Sequence, residues 1–306
     1  MKTKTFLFLL LICILLTITL PTLTKAGAKT GLELWLFTLI PTLFPFLIFT
    51  NLLNSIHGNL LISHILKKPV QALFPVSDHA VYAILIGLLC GYPMGAKAVS
   101  NLLSENKITN IEAQYLLRFC NYPSPMFVVG YLCPILQCNT YLFIVLTAIY
   151  GSAFLCGQIF RPASASPKSH ASTYTPLCTF QFSMIDYAIK DTCYCLMLFG
   201  GYVILYSIAA TYVASIHTPV GLWQILGIGL LEITNGTSML ASFSLPVIYK
   251  LPLACFFVTF GGLSTFSQTI SILKGHPLSK RHYLYGKLLN GLLSAILCYV
   301  LLMIIK

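Results

Sequence analysis

Leu231-Glu232-Ile233-Thr234-Asn235-Gly236 sets a carboxylate, a hydroxyl and an amide together, beside a glycine, inside an otherwise apolar stretch. A charged side chain at the centre of a bilayer costs about 2.5 to 3.5 kcal/mol on insertion scales, so it belongs where it faces a cavity, pairs with a cation or takes up a proton. Whether the surrounding stretch is membrane decides the fold. The chain of 306 residues is 57% hydrophobic and 8% charged, whereas a soluble domain carries about 25% charged residues. Its mean hydropathy is +0.85, and several apolar runs of roughly 18 to 24 residues can cross a hydrocarbon core of about 30 Å. The expected fold class is all-α, a polytopic integral membrane protein.

A second interruption, Gly91-Tyr92-Pro93-Met94-Gly95-Ala96-Lys97, breaks the apolar stretch 80–103. Each interruption is followed by another, Asn121-Tyr122-Pro123-Ser124-Pro125 in the first half and Gly261-Gly262-Leu263-Ser264 running to Gln268 in the second. Sliding one half over the other by about 141 to 144 residues superposes both broken elements and the closing apolar helices, 140–160 and 283–305, and such pairs of breaks point to a transport site. Two inverted repeats are expected, each with a re-entrant hairpin and a discontinuous helix. Residues 1–30 then form an N-terminal transmembrane helix, 31–160 the first repeat, 161–182 a Pro/Ser-rich polar linker and 183–306 the second repeat. Lys2 and Lys4 before an apolar run look like a secretory signal, but residues 22–26 make a poor cleavage site and the run is long, so a retained helix is expected.

The balance of 18 basic against 7 acidic residues, net +11, is spread over loops and segment ends. That distribution suits lipid headgroups and topology and excludes nucleic-acid binding. Five of the eleven cysteines, Cys13, Cys90, Cys156, Cys255 and Cys298, sit in apolar runs as small hydrophobes. Cys133 and Cys138 flank a loop where they could pair. Neither cysteine nor histidine spacing makes a metal site, and no catalytic motif is present, so no enzyme and no cofactor are expected beyond a coupling proton or sodium ion. Asp186 and Asp191, flanking Lys190, read as an interfacial charge cluster, and Thr109-x-x-Glu112 as a capping box.

Breaks free backbone N–H groups that suit anions and carbonyls that suit cations. The candidate substrate-binding residues are Tyr92, Gly95, Lys97, Asn121, Ser124, Glu232, Thr234, Asn235, Ser264 and Gln268. Glu232 either meets a ligand or coupling ion, or serves as structural partner of Lys97, Arg118 or a backbone donor. Thr234 and Asn235 either bind or cap the break. Lys97 either carries substrate charge or snorkels at a segment end. Ser264 and Gln268 either bind or act as interhelical glue.

These motifs, with Gly31-Leu32-x-Leu34-Trp35 and Pro41-x-x-x-Pro45-Phe46 before them, resemble the YlbJ family of sporulation integral membrane proteins from about Gly31 onward. The family carries the nucleoside-recognition Gate domain and is similar in architecture to concentrative nucleoside transporters. The resemblance implies a transporter of a small planar anionic solute, dipicolinate moved from mother cell towards forespore, in the outer forespore membrane of a spore-forming bacterium. It also implies that Gly91–Lys97 and Glu232–Gly236 are hairpin tips and that residues 121–125 and 262–268 are the broken helices. An ion-coupled nucleoside-type transporter and a non-transporting structural protein of the sporulation membranes stay open. The expected partners are a small-molecule substrate and the bilayer, and a homo-oligomer is compatible with the pattern. Glu232 has no acidic counterpart in the first half, where Lys97 and Arg118 are the nearby charges.

Overall fold

The computed structural model describes residues 3–162, 178–216 and 219–305, and most of the expected linker at 161–182 lies outside the described residues. Among these residues the chain is helical throughout. The first part comprises α1 (Thr3–Thr19), α2 (Pro21–Leu34), a π turn at Trp35–Leu39, α3 (Ile40–Ser55), α4 (Gly58–Leu73), α5 (Asp78–Cys90), α6 (Met94–Ser104) and α7 (Asn110–Leu117). Next come the single turn α8 (Pro125–Phe127), a π turn at Val128–Leu132, α9 (Cys133–Ile135) and α10 (Leu142–Ile159). The second part comprises α11 (Phe182–Ser215), α12 (Leu222–Leu231), α13 (Ile233–Ser242), α14 (Val247–Phe260), α15 (Gly262–Ile272) and α16 (Lys280–Ile305).

Five stretches are long and apolar enough to cross a membrane: Pro21–Ser55, Asn139–Ile159, Phe182–Ser215, Val247–Ile272 and Lys280–Ile305. A bent pair, Leu61–Leu73 with Asp78–Cys90, turns by 89° at its break. Many large apolar side chains, such as Phe8, Phe49, Phe143 and Trp223, are exposed, which is the surface that lipid requires. The chain is an integral membrane protein crossing the bilayer several times.

Two helix pairs fold back on themselves. In a continuous helix Gly87 and Gly95 would stand about 12 Å apart. Here a methyl group added to Gly95 would lie 3.1 Å from the Gly87 Cα, and one added to Gly236 would lie 2.3 Å from the Gly229 Cα. So α5 and α6 form one hairpin around Gly91–Pro93, and α12 and α13 form another around Glu232. The paired glycines stand 142 (Gly87 and Gly229) and 141 (Gly95 and Gly236) residues apart along the chain.

The apolar core has two parts. One joins α4 to α7 with Leu196 and Phe199 of α11, and the other joins residues 127–149 with α12, α13, α14 and α16. The closing helices α10 and α16 pack on each other, and the Ser152 hydroxyl donates to Asn290 Oδ1 across them at 2.6 Å. At the other end α2 meets α11 at backbone distance, since methyl groups on Gly27 and Gly31 would each lie 2.7 Å from a Cα, those of Ile208 and Ile204. This is small-residue packing at a spacing of four, the usual way membrane helices approach closely.

Two expectations change. Thr109 caps α7 by accepting from the Glu112 N–H at 3.2 Å, but the Glu112 carboxylate leaves the box to accept from the Ser77 N–H at 2.6 Å. It thereby ties α7 to the bend before α5, and burial holds its carboxyl above the usual carboxylate range. Asp191 is not a solvated cluster with Lys190: it accepts from Lys97 at 2.6 Å and from Asn51 at 2.9 Å, drawing α3, α6 and α11 together. All the cysteines, Cys133 and Cys138 included, are free thiols.

Candidate functional site

The unwound stretch after α7 exposes three consecutive carbonyls, and each is taken by a different element. Lys287 of α16 donates to the Asn121 carbonyl at 2.7 Å. The Tyr92 N–H, in the tip of the α5–α6 hairpin, donates to the Tyr122 carbonyl at 2.8 Å. The Tyr150 hydroxyl of α10 donates to the Pro123 carbonyl at 3.0 Å. The preceding carbonyl, of Cys120, lies between Gly87 and Gly95, where added methyl groups would fall 1.8 and 2.1 Å from it. Ser124 closes the stretch by accepting from the Phe127 N–H at 3.2 Å, which starts α8.

The tip of the α12–α13 hairpin is capped by its own side chains, and the Tyr131 hydroxyl donates to its Thr234 carbonyl at 2.9 Å. Glu232 ends α12, its N–H donating to the Ile228 carbonyl at 2.8 Å. Its carboxylate then caps α13: one oxygen accepts from the Asn235 N–H at 2.8 Å, from Asn235 Nδ2 at 3.0 Å and from the Thr234 hydroxyl. A carboxylate at a helix N-terminus is stabilised by the orphan N–H groups and the helix dipole there. Glu232 is 3% exposed, and no cation lies within ion-pairing distance of it among the described residues. Of the structural partners considered for it, the backbone donor is the one present; Lys97 and Arg118 are not.

Between α14 and α15 the break is held by Gly261 and Gly262, with φ of 88° and 67°, backbone that favours glycine. A methyl group on Gly262 would lie 3.2 Å from the Leu231 carbonyl, so the second pair of breaks is in contact just as the first pair is.

All four breaks meet at one small cavity of about 50 Å³. Tyr92 and Pro93 come from the first tip, Ser124 from the unwound stretch, Glu232 and Thr234 from the second tip, and Ser264, Thr265 and Gln268 from α15; Leu39, Leu43, Phe127, Phe199 and Val203 supply apolar wall. Tyr92 Oη is buried without a hydrogen-bond partner. A second, wider cavity of about 710 Å³ lies on the other face of α15, lined by Ser267, Ser271, Lys274, His276, Lys280 and Tyr283 among others.

Six of the ten sequence candidates therefore line the central cavity: Tyr92, Ser124, Glu232, Thr234, Ser264 and Gln268. Four do not. Gly95 is a packing glycine against the Cys120 carbonyl. Lys97 is paired with Asp191 and touches Cys195 Sγ at 3.1 Å. Asn121 Nδ2 donates to Tyr283 Oη at 2.7 Å and Thr269 Oγ1 at 3.1 Å, behind the wall. Asn235 reaches Ser207 of α11 at 2.8 Å. Arg118 is also away from the cavity, its guanidinium 4.4 Å from the centre of the Phe160 ring.

Sequence reasoning missed Lys287, which is 2% exposed and sits 5.6 Å from the centre of the Tyr92 ring. The available signal was a lone lysine inside the apolar run of α16, easily taken for a headgroup anchor because Lys280 and Arg281 lie just before it. Thr265 was missed as well; it stands beside Ser264 on the same helix face as Gln268. Among the described residues no three His, Cys, Asp or Glu side chains are placed to hold a metal.

No protein-family model matches the chain, and no solved structure matches it. A curated relative does: the sporulation integral membrane protein YlbJ of Bacillus subtilis (strain 168) is 25% identical over 312 aligned residues, covering 90% of this chain and 76% of the relative. A membrane chain whose broken helices meet at one cavity is thus homologous, along nine-tenths of its length, to the sporulation integral membrane protein YlbJ.

Proposed function

We propose that this chain is a transporter that carries a small solute through the central cavity, and that the solute is a planar anion, dipicolinate being the specific candidate. The observation that carries the reading is the meeting of all four breaks at one largely apolar cavity with a few converging polar groups, the composition expected of a small-molecule site. Structural breaks alone would need no shared space between them. Inverted repeats give the reading its geometry, the two hairpin tips facing each other across the solute and alternately admitting it from either side.

The anion is favoured by the charges around the cavity. Lys287 lies directly behind Tyr92, and Lys274 and Lys280 line the wider cavity across α15, which would attract an anion before it enters. The resemblance to YlbJ adds the setting: dipicolinate passing the outer forespore membrane during sporulation. Glu232, its one oxygen already accepting from three donors, repels an anion unless the carboxyl or the solute brings a proton, so the reading requires a proton at this position.

A second reading, a neutral nucleoside-like heterocycle, is favoured by one specific feature. No lysine or arginine lines the central cavity itself, while Glu232, Gln268, Ser264 and Thr265 do. Thermal stability of the purified protein, titrated with dipicolinate and with uridine to millimolar concentration, separates them. A saturable rise with dipicolinate, weakened by salt, supports the anion. A rise with uridine alone replaces it, and a rise with neither, together with unchanged sporulation in Glu232→Gln cells, favours a non-transporting structural protein.

A further inference from the structure

We propose that Lys287 is a built-in cation that holds the unwound stretch after α7, standing where a free metal ion would otherwise bind, so that the site beside it works without sodium. An unwound stretch inside a membrane protein presents carbonyls that coordinate cations. Here the Asn121 carbonyl is met by an ammonium group at 2.7 Å, and the next two carbonyls by an N–H and a hydroxyl. The ammonium fills the one position of the three where a positive charge stands.

Its placement is unusual for a lysine. It is 2% exposed on a membrane-spanning helix, and among the described residues no carboxylate lies within 4.0 Å of it. The Tyr92 ring lies 5.6 Å away, close enough for a cation–π contribution. A methyl group on Gly261 would meet its Cε at 3.7 Å. One side chain therefore bonds the unwound stretch and lies beside two more breaks, the first hairpin tip and the glycine pair before α15. The fourth break, at Glu232, supplies its own donors and needs no cation. Asn121 Oδ1 and Tyr92 Oη are buried without hydrogen-bond partners among the described residues, so the ammonium is held by the Asn121 carbonyl and not by these two oxygens.

The ion part of the proposal is independent of the transport reading; only its consequence for solute movement rests on that reading. Accordingly the test begins without solute. Wild-type protein is melted in sodium chloride and in N-methylglucamine chloride of equal strength, and Lys287→Ala in the same salts with and without ethylammonium. The expected result is equal melting of the wild type in both salts. The variant should melt lower by about 3 °C or more, and sodium or ethylammonium should restore it saturably. Lys287→Met, which leaves no space, should not respond. A saturable sodium effect on the wild type overturns the proposal even if no variant can be purified, and so does an alanine variant indifferent to both cations. Where dipicolinate stabilises the wild type, its effect should be the same in either salt; sodium-dependent binding of dipicolinate sinks the consequence for transport while leaving the transport reading standing.

Discussion

The two hairpin regions solve one problem in opposite ways. Around Glu232 the freed Asn235 N–H is met by a carboxylate three residues before it, which also accepts from the Thr234 hydroxyl and the Asn235 amide, while Tyr131 and Ser207 tie the tip to the rest of the fold. Around Tyr92 and Asn121 the freed backbone is satisfied from far along the chain, by Lys287, Tyr150 and the packing of Gly87 and Gly95 on the Cys120 carbonyl. The first arrangement is a cap whose charge is held locally; the second is a junction that exists only when α5, α6, α10 and α16 are assembled. The difference teaches that equal-looking breaks in a sequence can differ in how much of the fold they depend on.

The junction should be the more fragile. Gly87→Val would place side-chain atoms where even a methyl group lies 1.8 Å from a carbonyl, and we expect loss of folded protein, a cost above about 4 kcal/mol, read as the monodisperse fraction in size-exclusion chromatography. Gly201→Ala, with nothing within 4 Å, is the control and should be neutral or slightly stabilising. A folded Gly87→Val protein would erase the contrast between the regions.

The local cap predicts the opposite separation. Glu232→Gln keeps an acceptor for α13 and should leave folding intact while changing solute affinity about tenfold or more, upward for an anion relieved of the carboxylate's charge and downward for a neutral or protonated solute that donates to it. Glu232→Ala should in addition cost about 1 to 2 kcal/mol through the lost cap. Wild-type affinity in Glu232→Gln would reduce this residue to a cap.

Lys97 and Asp191 sharpen the comparison further, because they join the first hairpin to α11 away from the cavity. A double-mutant cycle with Lys97→Met and Asp191→Asn should give a coupling of about 1 kcal/mol or less, as their partial exposure allows, with solute affinity unchanged. Affinity lost in step with stability would return Lys97 to the site. The smallest effect on folding is expected from Tyr92→Phe: the lost hydroxyl has no partner, so stability should stay within about 1 kcal/mol of wild type, while a several-fold loss of affinity would locate the hydroxyl on the solute.

The same contrast explains what could be read in advance. The membrane class and the four breaks follow from composition and from glycine and proline, which act locally. Glu232, Thr234, Ser264 and Gln268 were legible because each is polar within an apolar run. Lys97 was misread because its partner Asp191 lies 94 positions away, and a charge near a break looks the same whether it faces a solute or another helix. Lys287 was overlooked because only the assembled fold brings α16 beside Asn121. The Glu112 side chain left its capping box for the same reason, drawn to a backbone donor 35 residues earlier.

The close seam between α2 and α11 bears on motion. Two helices in contact at their Cα atoms cannot slide past one another without first separating, because Gly27 and Gly31 leave no compressible side chain between them. The seam joins sequence before the polar segment to sequence after it, so, if the proposed transport moves one part of the chain against another, the moving parts are not the two sequence halves taken whole. With α11, 34 residues, about 51 Å long against a hydrocarbon core of about 30 Å, that fused pair has the reach of a spar, longer than the bilayer core is thick.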